Sequence, residues 1–96
     1  MNMKELKRRF VREILAYEAM LSGDWAPAVD VIQMGLITKE QARYGITERL
    51  KSSYSYFTYL GKAPADVMGA ASNLLSGGRL PHDTILALID RLEAYN

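Results

Sequence analysis

The chain contains no cysteine. That excludes disulfides, thiolate nucleophiles and cysteine-ligated zinc. Histidine occurs once, at His82, so no second imidazole is present to complete a zinc site. No apolar run approaches the ~18–20 residues of a membrane span. The stretch from Met1 to Arg12 is charged and periodic, without the apolar segment or small-residue cleavage site of a secretory leader. The expectation is a cytoplasmic protein with no membrane association. No glycine-rich phosphate loop ends in Lys-Ser or Lys-Thr, and Gly77-Gly78 belongs to no such motif. The carboxylates are scattered and show no isolated pair of the kind a glycosidase needs. No enzymatic activity is expected, and no catalytic, cofactor-binding or metal-ligating residue is assigned.

What remains is globular. The chain is 49% hydrophobic and 24% charged, a balance that supports a packed core rather than disorder. Its 96 residues suggest one domain, residues 1–96, burying somewhat over ~60% of the unfolded surface. The net charge of +1 hides a gradient: Lys4, Lys7, Arg8, Arg9 and Arg12 outweigh Glu5 and Glu13 at the start of the chain.

Apolar spacing and glycine punctuation predict an all-α bundle of five helices, over residues 3–22, 25–34, 39–60, 64–76 and 81–95. In the first, Met3, Phe10, Ile14, Tyr17 and Leu21 share a narrow stripe with Leu6 beside it, widened by Val11 and Leu15. The second opens after Asp24, a good N-cap, with Pro27 in its first turn. The third opens with Thr38 and Gln41 at capping-box spacing and carries the stripe Ala42, Ile46, Leu50, Ser53, Phe57 and Leu60. Gly45 weakens this helix by about 1 kcal/mol relative to Ala and marks where a bend would fall. The fourth turns Val67, Met68, Ala71, Leu74 and Leu75 inward, with Pro64 in its first turn. The fifth shows the clearest amphipathic pattern, in Ile85, Leu88, Ile89 and Leu92.

Four aromatics, Tyr54, Tyr56, Phe57 and Tyr59, fall too close together for one helical face to hold them all. Phe57 belongs to the core stripe. Tyr54, Tyr56 and Tyr59 lie off it at three different angles, as does Tyr44. Another helix of the bundle can wrap these rings, or they form a binding surface, since tyrosine offers stiff amphipathic area at low entropic cost. Base stacking on single strands is a third use of such rings.

Lys4, Arg8 and Arg12 are spaced i, i+4, i+8 and form a row, and Arg12 has no acid four residues on. The row is either a solvated face, a surface for an acidic protein, or a contact for phosphates. A helix-turn-helix over helices two and three fails the packing test. With Gly35 in the turn, Asp30 falls at a core position and β-branched Val31 where a small residue belongs. His82-Asp83 reads as a solvated pair at a helix start, and Trp25 as a plug at the end of the core.

The resulting expectation is a non-enzymatic protein-interaction module, a small regulator or inhibitor of a larger complex. Phage- and plasmid-borne regulators share this size and simplicity, which is an analogy only. Tyr54, Tyr56, Tyr59 and Tyr44 would supply contact area, and Arg8, Arg9 and Arg12 would steer toward an acidic protein partner. A shared aromatic surface would also suit a homodimer. The alternative is a nucleic-acid-binding regulator using the basic first helix.

Overall fold

The computed structural model describes residues 2–32 and 35–95. Five helices follow one another: α1 Met3–Leu21, α2 Ala26–Ile32, α3 Lys39–Leu60, α4 Ala65–Leu75 and α5 His82–Ala94. No strand occurs among the described residues, so the all-α expectation holds. The last two positions expected in the second helix, Gln33 and Met34, lie outside the described residues.

Local chemistry sets the helix ends. Asn2 caps α1 by accepting the Glu5 N–H at 2.8 Å. The Asp24 carboxylate accepts the Ala26 N–H at 3.3 Å, at the start of α2. Both bonds of the α3 capping box are formed: Gln41 N–H donates to Thr38 Oγ1 at 3.1 Å, and Thr38 N–H to Gln41 Oε1 at 2.9 Å. Pro64 and Pro81, expected inside their helices, stand one position outside as N-caps in extended geometry. Their φ suits either place, but at the cap their carbonyls accept the first helical bonds, from Met68 and Ile85.

The charged first helix is the hub. α1 packs against each of the other four helices, whereas α3 touches α1, α2 and α4. The expected stripe of α1 is present in Phe10, Ile14 and Tyr17. It widens on the side opposite to expectation, through Glu13, Ala16 and Met20, while Val11 and Leu15 are only partly buried. The cause is α2, whose Ala28 and Ile32 are buried and whose contacts are with α1 and α3 alone. Phe10 stacks on Phe57 of α3, ring centroids 4.9 Å apart and planes 17° from parallel. Around that pair a single cluster joins Ile46, Leu50, Val67, Leu74, Ile85 and Leu92. The radius of gyration, 12.7 Å, is that of a compact chain of this length.

The expected stripe of α3 is buried from Ala42 to Phe57, and Leu60 is half-buried. The helix runs unbroken through Gly45, so no bend falls there. A Cβ at this position would lie 2.7 Å from Ile32 Cδ1. Gly45 is therefore where α2 makes its close approach, and the missing side chain serves packing between helices rather than a break within one.

Candidate interaction surface

Three of the four tyrosines singled out from the sequence are open to solvent on α3. Tyr59 is 86% exposed, Tyr44 69% and Tyr56 48%. At about 100° per residue they span roughly 120° of the helix circumference, Tyr44 and Tyr59 opposite the core stripe and Tyr56 at its border, roughly 80° from its centre. From Tyr44 to Tyr59 they extend along ~22 Å of helix at 1.5 Å per residue. Small or polar residues separate them, among them Glu48, Ser52 and Ser55. Tyr54 sits differently. It is half-buried and packs against the core, bordering the stripe on the flank away from Tyr56. Tyr54 is thus partnered inside the bundle.

Beside Tyr56 and Tyr59 lies the seam between α1 and α3. Phe10 meets Phe57 and Glu13 meets Ser53, so the two helices run antiparallel. Three clefts adjoin one another here. The first, shallow, is formed by α3 alone, between Lys51, Ser55, Tyr56 and Tyr59. The second, about 280 Å³, lies between Leu6, Arg9, Ser52, Tyr56 and Phe57. The third, about 230 Å³, holds Arg9, Arg12 and Arg49 over Glu13, with Val31 of α2 at its far edge. Adjacent clefts share Ser52 and Tyr56, then Arg9, so together they form one trough.

Glu13 is the residue that pattern reading missed. It is fully buried, accepts the Ser53 hydroxyl in a short hydrogen bond, and pairs with Arg9 Nε at 3.4 Å. Burial pushes its carboxyl above the ordinary glutamate range, against the opposing pull of the Ser53 hydroxyl, Arg9 and Arg49. The i,i+4 spacing of Arg9 and Glu13 was the one available signal. Arg49, equally overlooked, stands across the seam. Arg9 was expected to steer a partner together with Arg8 and Arg12, and it turns into the trough, with half of its side chain exposed.

The row itself lines a different surface. Lys4, Arg8 and Arg12 are exposed and make no ion pair among the described residues. With Lys7 they flank a groove of about 500 Å³, floored by Met3 and Val11 and reached by Glu93 of α5. Lys7 also donates a short hydrogen bond to the Tyr95 carbonyl. Arg12 stands at the boundary, lining both this groove and the trough.

His82 does not pair with its neighbour Asp83. Its Nδ1 lies 2.7 Å from Glu18 Oε1, where a ring N–H donates to the carboxylate and ties α5 to α1. Nearby, Arg79 donates to the Leu21 carbonyl and the Ser22 hydroxyl, both at 3.1 Å, at the C-terminal end of α1. Trp25 is partly buried against the core, with Lys39 Nζ 5.9 Å from the centre of its ring. No group of side chains that could hold a metal ion occurs among the described residues. Among the described residues no helix is long and apolar enough to cross a membrane. No family model, curated protein or solved structure matches the chain.

Proposed function

We propose that the chain is a single-domain, non-enzymatic protein-interaction module, a small cytoplasmic regulator or inhibitor that binds a larger protein through the tyrosine face of α3. The observation that carries this reading is the exposure of Tyr44, Tyr56 and Tyr59 on one side of a helix whose other side is core. Exposed rings have no folding role strong enough to require them, and tyrosine concentrates at the centres of protein interfaces. Arg9, which shares a cleft with Tyr56, and Arg12 in the next cleft favour an acidic partner, and Arg8 on the neighbouring groove adds to the charge that speeds its encounter. The same face would serve a homodimer, each copy presenting the same patch to the other.

The test is affinity purification from the native host with the wild type and with Tyr44→Ser plus Tyr59→Ser. Both rings are exposed, so the variant should keep its circular dichroism and melting temperature. Specific partner recovery should fall at least ~10-fold, the effect of losing one or two interface anchors. Equal recovery by both proteins removes the tyrosine face from the reading. Light scattering on the same samples distinguishes a second copy of the chain from a different protein.

A nucleic-acid-binding regulator is the second reading, favoured by the row of Lys4, Arg8 and Arg12, which makes no ion pair among the described residues. Salt separates the two. Binding through this row should weaken steeply as salt rises, whereas a tyrosine-centred protein contact should change little.

A further inference from the structure

α2 lies over the seam between α1 and α3, packed on both helices and on nothing else. It has 7 residues, whereas α1 has 19 and α3 has 22. At 1.5 Å per residue it covers ~10 Å of a seam that is nearly three times as long. Val31, in its last turn, forms the edge of the trough. Beyond that edge the seam is bare among the described residues. The trough is the continuation of the place that α2 already occupies.

The covered and bare stretches differ in chemistry. Under α2 the seam is apolar, with Ala16, Met20, Ala28 and Ile32 buried. In the bare stretch Arg9, Arg12 and Arg49 stand over the single acid Glu13, an excess of positive charge. The apolar part of the bare stretch is Leu6, Phe57 and the ring of Tyr56, in the middle cleft.

We propose that this bare seam docks an acidic amphipathic helix of a partner protein, an apolar side chain seated between Leu6, Tyr56 and Phe57 and a carboxylate held by Arg9, Arg12 and Arg49. The helix lies where α2 would lie if it were longer, as a third helix in the groove between two antiparallel ones. The proposal rests on the protein-interaction reading and names the chemistry of the partner. From Tyr56 to Arg49 is seven residues, or ~10 Å along α3. The two anchors of the partner are therefore about two helical turns apart, at i and i+7. A nucleic acid would satisfy the arginines but leave the apolar cleft without an occupant.

The probe is a synthetic helical peptide of about 15 residues, long enough to hold a helix when bound, with Leu and Glu seven positions apart on one face. Two control peptides replace that Glu by Gln or that Leu by Ser, and a single-stranded oligonucleotide of similar length serves as the nucleic-acid arm. Each is titrated into isotope-labelled protein, reading the Nε–Hε signals of Arg9, Arg12 and Arg49 and the ring signals of Tyr56. The expected result is that the Leu/Glu peptide shifts all four residues together. Either control peptide should bind at least ~10-fold more weakly, and so should Arg12→Gln protein with the Leu/Glu peptide. Arg12 is exposed, so this variant should leave the fold intact; Arg49→Gln is the second variant, admitted after its circular dichroism matches the wild type.

Three results overturn the proposal: no shift at these residues up to ~1 mM peptide, shifts confined to Lys4, Lys7 and Arg8 in the other groove, or shifts produced by the oligonucleotide and not by the peptide. Failure here is separable from failure of the broader reading. A native partner lost with Tyr44→Ser plus Tyr59→Ser but retained with Arg12→Gln and Arg49→Gln would leave the tyrosine face standing and remove the seam.

Discussion

Glu13 shows how one residue can depart from its pattern. A carboxyl with no exposed surface carries a desolvation cost that its partners only partly offset. Its folded-state pKa is therefore above its unfolded value, and the folded protein holds this proton to higher pH than the unfolded chain does. The stability contributed by that proton is fully present below the ordinary glutamate range and is lost as pH rises through the raised value. Glu13→Gln keeps the shape and the Ser53 contact without the charge. The stability of the variant relative to the wild type should therefore increase from about pH 4 toward pH 7. Urea unfolding across that range checks it, and parallel curves for the two proteins would sink the assignment. Residue-scale pattern reading put Phe57 on the core stripe and Tyr44, Tyr54, Tyr56 and Tyr59 off it, because helical angle alone separates them. It failed at Glu13 because charge was taken as a marker of the solvent side. It left the burial of Tyr54, Tyr56 and Tyr59 open because a ring off the stripe is wrapped or exposed according to neighbours that the sequence does not place.

At the scale of elements, the caps were the most legible feature. Thr38 and Gln41 carry their geometry in their own chemistry, and the bonds formed are the ones their spacing requires. Gly45 was misread for the opposite reason: its cause lies in another helix. An alanine here would gain about 1 kcal/mol in helix propensity, yet its Cβ would meet Ile32 Cδ1. Shortening Ile32 to valine removes that atom, at a cost of about 0.5–1.5 kcal/mol alone. The two substitutions should therefore couple. Gly45→Ala with Ile32→Val should be more stable than the sum of the single changes, by roughly 0.5–1 kcal/mol. A double-mutant cycle in urea measures this, and strict additivity would show that α2 does not set the size of residue 45.

For the whole molecule, the stack of Phe10 on Phe57 joins the two longest helices at the middle of the core. Phe10→Ala should cost about 3–5 kcal/mol, a large share of the ~5–15 kcal/mol that holds a domain together. The denaturation midpoint should fall with little change in slope. A loss under about 1 kcal/mol would place the centre of the core elsewhere. Five helices and their approximate bounds were readable from periodicity, but their arrangement was not. Which helix sits at the centre depends on contacts between distant segments, and the basic character of α1 disguised that role.

The hub position of α1 also orders the events of synthesis. Of the five helices it is made first, and every surface it buries is supplied later. Phe10 waits for Phe57, Glu13 for Ser53 and Glu18 for His82. At roughly 5–20 residues per second, the first of these waits lasts several seconds and the last longer still. During that interval a nascent α1 presents Phe10, Ile14 and Tyr17 to its surroundings, and its basic residues keep that apolar helix in solution until its partners arrive.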